Sequence, residues 1–494
     1  MKTAEFVDRI LQRLGFQPTQ DQLAAARVFA AFLADREPEA AMVMRGSAGT
    51  GKTTLASAMV DTLHSLGQSI VLMAPTGRAA KVFAVNSHLP AATIHRTIYR
   101  ERSVAPDSRF NLNFNRSRRT LFVVDEASMI NGRSSADSSF GTGNLLDDLI
   151  RFVYSGDQCR LLLIGDNAQL PPVGEPEAPA LSPDELGAYG LKVYACSLSE
   201  VVRQGKTSGI LLNATRLRLG MPSWTAQKAN PVLPKLIVRG LPDVARVSGN
   251  DLIEQLADSY SKVGIDETIV VTRSNKRAAV YNQGIRARVL DLDDELCGAD
   301  RVMVVKNKYL SSKNDDADAG SLPMLPAPRP RRLSFIANGD RCEVRRVRHF
   351  RELYGFRFAD ATLRFPDYDG EELQSIVMLD ALATDAPALS REQQERLYNS
   401  VMADYDDVPL KADRMRAVRD NPYYNALQIK FAYAVTCHKA QGGQWEHVYV
   451  DQGFMTADML TPDYFHWLYT AVTRARTRLF LVNWPDEQCD DSPK

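Results

Sequence analysis

The chain has 494 residues, of which 45% are hydrophobic and 24% are charged, and its formal net charge is +0. This length predicts about two to four domains, and the composition is ordinary for a soluble globular protein. Because the net charge excludes a general attraction to polyanions, a nucleic-acid partner would have to be held by local basic surface.

The N-terminal segment MKTAEFVDRILQRLGF has the periodicity of an amphipathic helix rather than the layout of a signal peptide. No apolar run reaches the roughly 18 residues needed to cross a bilayer, so we expect no membrane contact. The six cysteines are scattered without a C-x-x-C pair. This argues against a disulfide framework or a zinc module and favours a reducing compartment, so we expect a cytoplasmic protein.

Strand-like apolar runs alternate with helical stretches in the first part of the chain, which is typical of a parallel sheet covered by helices. The predicted buried strands are 41–45, 69–75, 120–126 and 160–166. Each ends in polar or glycine-containing residues, and an open α/β sheet binds its ligands at such ends. Between the second and third strands, the basic and aromatic stretch 102–119 predicts a small excursion from the sheet.

A second alternating region begins near residue 268 and resumes at residue 427. Between them, 311–332 has the composition of a flexible loop, and about 340–425 holds strand-like pieces followed by a charged helical segment. The predicted domains are 1–198 with a small insertion at 99–119, then 199–339 together with 426–494, and an accessory insertion at 340–425.

The segment MRGSAGTGKTTL matches the phosphate-binding pattern G-x-x-x-x-G-K-S/T between a predicted strand and a predicted helix. Glycines let backbone N–H groups surround phosphate oxygens, and the helix N-terminus adds its positive end. Lys52 would bind the β and γ phosphates, and the Thr53 hydroxyl would bind Mg²⁺. The predicted nucleotide-binding residues are Gly46, Ala48, Gly49, Thr50, Gly51, Lys52, Thr53 and Thr54.

An acidic pair follows the apolar run LFVV, as a phosphate-binding loop requires at the end of a neighbouring strand. Asp125 is positioned for Mg²⁺, and Glu126 is placed to orient and deprotonate the attacking water. The sequence therefore predicts hydrolysis of ATP or GTP with Mg²⁺ as cofactor.

Later segments supply further groups that phosphoryl transfer needs. LLLIGDNAQLPPVG places Asp166 and Gln169 after another strand, where a glutamine can sense a γ-phosphate. SEVVRQ holds Arg203, and YTAVTRAR holds Arg474 and Arg476. Arginines from a second domain stabilise the transition state only when the cleft closes, which couples hydrolysis to motion.

The segments GSAGTGKT, APTGRAA, VVDEAS, GDNAQLPP, VVRQ, HKAQG and YTAVTRAR occur in this order. Together they resemble the motifs of superfamily 1 DNA helicases, and in detail the 5′→3′ branch of RecD-like and phage Dda-like enzymes. The similarity extends from about residue 17 to 484. Any one motif is weak, but seven in series are very specific.

This resemblance implies an α/β fold with two RecA-like motor domains in tandem, with ATP and Mg²⁺ bound between them. A β-hairpin-type pin would be inserted in the first domain and an SH3-like barrel, here with an added helical part, in the second. The expected partners are single-stranded DNA and single-strand/duplex junctions, the expected unit is a monomer, and the expected roles are in DNA replication, recombination and repair.

Site residues are also implied by the resemblance. Lys52, Thr53, Asp125, Glu126, Gln169, Arg203 and Arg474 would form the ATPase site, with Arg203 and Arg474 as arginine fingers. Gln22 matches the glutamine that reads adenine. The residues that would contact DNA phosphates are Thr76, Gly77, Arg78, Thr93 and His95. His95 is equally well explained as an ordinary core or surface histidine. Phe110 or Phe114 would stack on the terminal base pair, or would simply pack the excursion onto its domain.

The segment TCHKAQGGQW invites three interpretations: a metal site, a Cys–His nucleophile or a motor motif. No second Cys/His cluster completes a metal site, and adjacent residues on a strand point to opposite faces. By the resemblance, Thr436, His438 and Lys439 would contact DNA phosphates. Gln444 would approach the ATP ribose, at a position where relatives often have glutamate.

Three other functions share part of this pattern. An RNA helicase has the same motor, and a nucleotide-gated clamp remodels protein–DNA complexes without separating strands. A regulator with only a phosphate-binding loop would lack the second-domain arginines. The Pif-type helicases have a signature block before GDNAQLPP, and the interval here does not match it.

Overall fold

The computed structural model describes residues 3–100, 110–134, 140–200, 208–226, 233–310, 335–456 and 459–490. Its helices are α1 Thr3–Leu14, α2 Gln20–Ala34, α3 Lys52–Ser65, α4 Gly77–Ser87, α5 Ile94–Ile98, α6 Leu145–Tyr154, α7 Pro183–Ala188, α8 Gly209–Ala226, α9 Leu252–Val263, α10 Asn275–Arg288, α11 Asp380–Ala383, α12 Arg391–Ala403, α13 Lys411–Asp420, α14 Cys437–Ala440 and α15 Pro462–Val472.

Its strands are β1 Ala40–Gly46, β2 Ser69–Ala74, β3 Ala91–Thr93, β4 Tyr99–Arg100, β5 Asn111–Leu112, β6 Thr120–Val124, β7 Arg160–Gly165, β8 Lys192–Leu198, β9 Leu236–Ile237, β10 Val244–Val247, β11 Thr268–Thr272, β12 Arg301–Val304, β13 Lys308–Tyr309, β14 Phe335–Ile336, β15 Arg341–Leu353, β16 Phe356–Phe365, β17 Glu371–Met378, β18 Leu427–Phe431, β19 Ala434–Thr436, β20 Trp445–Asp451, β21 Ala475–Val482 and β22 Cys489–Asp490.

The first lobe is a parallel sheet in the order β3-β2-β6-β7-β1-β8. Its central strands are almost wholly buried because helices cover both faces, as parallel sheets require. Helix α1 is amphipathic as predicted and buries Phe6, Val7, Ile10 and Leu14 against this lobe. Strand β7 lies between β1 and β6, so the acidic pair follows the next strand but one from the phosphate-binding loop, not an adjacent strand.

The second lobe is a parallel sheet in the order β10-β21-β20-β11-β19. Helices α8 and α15 pack on it through one shared apolar cluster. The fold class is therefore α/β with two parallel-sheet lobes in tandem, as predicted.

A closed barrel of β12, β15, β16, β17 and β18 is inserted between strands β11 and β19 of the second lobe. Strands β12 and β18 lie outside the predicted insertion of 340–425 and close the barrel, because a barrel needs a neighbour on each edge of its sheet. Helices α12 and α13 pack on the barrel through Phe356, Phe358 and Val418, among others. The predicted domain limits stay a prediction.

The short ladder of β4 with β5 lies in the predicted excursion, whose residues 101–109 fall outside the described chain. The predicted loop at 311–332 also lies outside it. None of the helices in the described ranges combines the length and apolar character needed to cross a bilayer.

Candidate nucleotide and nucleic-acid site

The phosphate-binding loop joins β1 to α3. Gly49 and Gly51 have φ of 80° and 78°, in the left-handed region that favours glycine. A Cβ on Gly46 would lie 2.8 Å from Lys52 Cγ and 3.0 Å from the Leu198 side chain, so the turn accepts only glycine. Lys52 Nζ donates to the Ser47 carbonyl at 2.9 Å and thus lies inside the loop.

Other predicted nucleotide-binding residues surround this loop. Thr50 Oγ1 donates to the Ser47 carbonyl at 2.8 Å, which tightens the turn, while Thr54 is exposed. Gln22 is fully buried: its Nε2 donates to the Thr50 carbonyl at 3.2 Å and its Oε1 accepts from Thr19 N at 3.1 Å. The glutamine predicted to read adenine therefore supports the loop and also caps α2.

The acidic pair lies at the end of β6. Asp125 is 8% exposed, and Glu126 has a left-handed φ of 54° with its N–H donating to Asp125 Oδ1 at 2.9 Å. Burial, followed by the charge of Glu126, raises the pKa of Asp125 to about 7, against the opposing effects of Lys52 and the Thr53 hydroxyl. The carboxylate is therefore short of positive charge in this structure.

The chemistry of this donor set fits Mg²⁺. The Thr53 hydroxyl lies close enough to the Asp125 carboxylate to lower its pKa, so two hard oxygen ligands are near each other. A divalent cation would supply the charge that the buried carboxylate lacks. These residues suit the predicted metal.

The loop after β7 joins the two lobes. Gln169 Nε2 donates to Glu126 Oε2 at 3.4 Å, and its buried Oε1 has no hydrogen-bond partner among the described residues. Leu170 N donates to Thr470 Oγ1 and Gln441 Nε2 donates to the Leu170 carbonyl, each at 2.8 Å. Gln169 thus lies between the acidic pair and the second lobe.

The structure does not bring the predicted arginine finger Arg474 to the phosphate-binding loop. Arg203 lies outside the described residues. Arg474 is 3% exposed, and its Nε and Nη1 donate to the carbonyls of Thr470 at 3.0 Å and Gly443 at 3.1 Å. Arg474 is held inside its own lobe in this structure.

Two second-lobe residues that we did not predict do reach the loop. Arg218 Nη1 donates to Ser47 Oγ at 2.7 Å, and Tyr469 Oη accepts from Ala48 N at 2.9 Å. Tyr469 Oη also donates to Asp166 Oδ2 at 2.7 Å. Tyr469 opens the YTAVTRAR motif and was within reach of sequence reasoning, whereas nothing local distinguishes Arg218 from neighbouring arginines.

The DNA-binding candidates at the end of β2 lie where the first lobe contacts the second lobe and the barrel. Thr76 caps α4, its Oγ1 accepting from Ala79 N at 3.2 Å. Gly77 is buried against the barrel. Arg78 stacks 4.5 Å from the Trp445 ring, and its Nη2 donates to the carbonyl of Gln444 at 2.8 Å. Gln444, predicted beside the ribose, therefore lies next to a DNA-binding candidate.

The candidates around the excursion form an aromatic cluster. Thr93 caps α5 and is buried, and burial lowers the pKa of His95 to about 4. The His95 ring lies 4.9 Å from Phe140, on which Phe110 stacks at 4.6 Å. Phe110 thus packs the excursion onto its lobe. Phe114 is 64% exposed, with Arg100 stacked 4.5 Å from its ring.

The segment TCHKAQ forms a helical turn, so our placement of Cys437 and His438 on a strand was wrong. Cys437 is fully buried with Sγ donating to the Trp467 carbonyl at 3.5 Å, while His438 is exposed, so the two side chains still separate. Burial, with repulsion from Lys430, lowers the pKa of Lys439 to about 8, and Thr436 is half-buried at the start of the turn. Within the described ranges, no group of three or more His, Cys, Asp and Glu side chains is arranged to hold a metal.

Comparisons with known proteins agree with this site. Residues 18–230 match the AAA domain family and residues 431–482 match the UvrD-like helicase C-terminal domain family. The ATP-dependent RecD2 DNA helicase of Deinococcus radiodurans is 27% identical over 61% of this chain and 38% of its own length. The ATP-dependent DNA helicase dda of Enterobacteria phage T4 is 27% identical over 57% of this chain and 60% of its own. The chain thus spans less than two thirds of either relative.

Among solved structures, the Bacteroides Pif1 helicase in complex with ADP-AlF3 and ssDNA covers 97% of this chain and 95% of its own, with 14% identity and a TM-score of 0.47. A likeness this weak has no bearing on function. The two family matches and the two sequence relatives agree with the motif series, and they make the chain similar to superfamily 1 helicases of the RecD-like and Dda-like kind.

Proposed function

We propose that the chain is an ATP-dependent DNA helicase that moves 5′→3′ on single-stranded DNA and unwinds duplexes. The observation that carries this proposal is the junction of the lobes at the phosphate-binding loop. Ala48 N and Ser47 Oγ of the loop bond to Tyr469 and Arg218 of the second lobe. A nucleotide bound there must alter contacts between the lobes, which is what a motor requires.

In the ATPase site, Lys52 and the loop N–H groups would bind the phosphates. Thr53 and Asp125 would hold Mg²⁺, which supplies charge neutralisation at the phosphates. Glu126 would accept the proton of the attacking water, and Gln169, hydrogen-bonded to Glu126, would respond to the γ-phosphate.

The DNA track would run over the residues at the starts of α4 and α14. Thr76 and Thr436, which directly precede these two helices, would contact DNA phosphates. Arg78 and Lys439 would supply positive charge to the same track. Lys439 is partly buried, and its lowered pKa indicates an ammonium group short of counter-charge, which a phosphate would provide. The proposed partners are single-stranded DNA and junctions, bound by a monomer.

Strand displacement with ATP and Mg²⁺ on duplexes carrying a 5′ or a 3′ single-stranded tail tests this function. We expect unwinding of the 5′-tailed duplex alone, and none by Lys52→Ala at unchanged thermal stability. Unwinding of only the 3′-tailed duplex would refute the polarity. DNA-stimulated hydrolysis without displacement would point instead to a translocase that remodels protein–DNA complexes.

A further inference from the structure

Arg218 crosses from the second lobe to the phosphate-binding loop. It lies on α8, whose Ala214 and Leu217 are buried in the apolar core of the second lobe. Its Nη1 nevertheless donates to Ser47 Oγ, on the first lobe, at 2.7 Å. The side chain thus spans the cleft in which a nucleotide would lie.

The Arg218 guanidinium has unused hydrogen-bonding capacity. Its Nε is buried and has no hydrogen-bond partner among the described residues. A buried, unpaired guanidinium N–H is costly unless an acceptor arrives. Nε lies on the edge of the guanidinium that can bind an oxyanion bidentately, while Nη1 is held by Ser47.

The position of Ser47 indicates which anion this is. The Ser47 carbonyl accepts from Lys52 Nζ at 2.9 Å, and its hydroxyl accepts from Arg218. Two cationic groups therefore meet at one residue of the loop. Lysine at this position of a phosphate-binding loop binds the β and γ phosphates of a nucleotide, so Arg218 faces the same part of the ligand.

We infer that Arg218 is an ATP-binding arginine supplied by the second lobe, which contacts the terminal phosphate of ATP and reports its presence to α8. This inference rests on the proposed ATPase function. It adds to the predicted fingers, because Arg474 donates to carbonyls of its own lobe. ADP lacks the terminal phosphate, so Arg218 distinguishes ATP from ADP.

Arg216 provides a matched control on the same helix. It lies two residues before Arg218 and therefore on another face of α8. Its Nη1 donates to Asp490 Oδ2 at 3.3 Å, so its partner is not a residue of the phosphate-binding loop. Its side chain is 44% exposed. Arg216→Ala removes the same charge from α8 without touching the loop.

The test compares Arg218→Ala, Arg218→Lys and Arg216→Ala in the full chain, with thermal stability measured for each. We expect Arg218→Ala to weaken binding of a non-hydrolysable ATP analogue about tenfold or more and to lower DNA-stimulated kcat, with ADP affinity changed less than about twofold. Arg218→Lys should recover part of the analogue binding, because it keeps the charge but loses the bidentate edge. Arg216→Ala should behave as the unmodified chain.

Equal losses of ATP-analogue and ADP affinity in Arg218→Ala would overturn the inference, since a purely structural role affects both. So would unchanged analogue binding. If Arg218→Ala does not fold, the ratio of ATP-analogue affinity to ADP affinity is measured for Arg218→Lys instead. A ratio equal to that of the unmodified chain refutes the contact with the terminal phosphate. Absence of hydrolysis in the unmodified chain would refute the proposed function instead, so the two failures are distinguishable.

Discussion

Asp125 is a buried carboxyl whose protonation depends on its partners. Burial and the charge of Glu126 raise its pKa to about 7, above its ordinary value of 3.8. In the unfolded chain this carboxyl ionises at lower pH than in the folded chain. Its contribution to folding stability is therefore intact below about pH 4 and is lost progressively as the pH rises to about 7.

We predict that Asp125→Asn stabilises the nucleotide-free protein, and more so at pH 8 than at pH 5. The difference between the two pH values should be about 2–3 kcal/mol, because asparagine keeps an acceptor but carries no charge to desolvate. Thermal unfolding in EDTA without nucleotide measures this, and ATP hydrolysis by the variant should be abolished. The same gain in Tm at both pH values would contradict the raised pKa.

For individual residues, the sequence predicted the structure correctly where a local sequence pattern determines the local backbone geometry. The glycines around Lys52 and the acidic residues after an apolar run determine a phosphate-binding loop and a strand end whatever the rest of the chain does. Arg218 was missed because its role depends on how α8 is placed against the other lobe. The role of Arg474 as an arginine finger stays a prediction, because in this structure its side chain donates to carbonyls of its own lobe.

Helix α4 meets the barrel at its first residue. A Cβ on Gly77 would lie 2.3 Å from Asp340 Oδ1 and 3.0 Å from Tyr368 Oη. Asp340 has little room to move, because its Oδ2 accepts from Ala337 N at 2.7 Å and from Tyr368 Oη at 2.6 Å. The glycine therefore permits the close approach of the barrel to the start of α4, the helix that we propose contacts DNA.

We predict that Gly77→Ala lowers Tm by roughly 2–6 °C and weakens single-stranded DNA binding, because the barrel must shift away from α4. Gly284→Ala is the matched control. It lies inside α10, a Cβ there meets nothing within 4 Å, and alanine favours helix, so Tm should hold or rise. Equal behaviour of the two variants would show that the contact at Gly77 is not tight.

Elements with strong periodicity were predictable, and those defined by distant pairing were not. The four buried strands of the first lobe and α3 lie where the sequence places them. Strand β18 reads as part of the second lobe, yet it pairs with β12 and β17 of the barrel, because apolar alternation does not specify which sheet a strand joins. The turn Cys437–Ala440 is too short for its periodicity to separate helix from strand.

Besides Arg218, a phenol of the second lobe joins the two lobes at the phosphate-binding loop. Tyr469 is 1% exposed on α15, accepts from Ala48 N of the loop and donates to Asp166 Oδ2 of the same lobe as the loop. Its neighbour Thr470 accepts from Leu170 N, so α15 touches both the nucleotide loop and the loop after β7. Helix α15 also packs on the turn that holds the DNA candidates His438 and Lys439.

A movement of that turn on DNA binding can therefore reach the phosphate-binding loop through α15. We predict that Tyr469→Phe lowers the ratio of ATP hydrolysis rates with and without single-stranded DNA several-fold, since the ring still fills its place but the link to Ala48 and Asp166 is lost. Steady-state kcat at saturating ATP, with and without saturating DNA, measures the ratio. Loss of about one or two hydrogen bonds should cost on the order of 1–2 kcal/mol of stability as well.

Tyr449→Phe separates coupling from stability. Tyr449 is also fully buried, and its Oη lies 2.6 Å from both the Gln255 carbonyl and Ser259 Oγ, so its bonds stay within the second lobe. The same chemical change there should lower Tm by a similar amount and leave the DNA-stimulation ratio unchanged. If both variants lower the ratio equally, the effect is one of general loosening, and the phenol of Tyr469 does not carry the coupling between DNA and nucleotide.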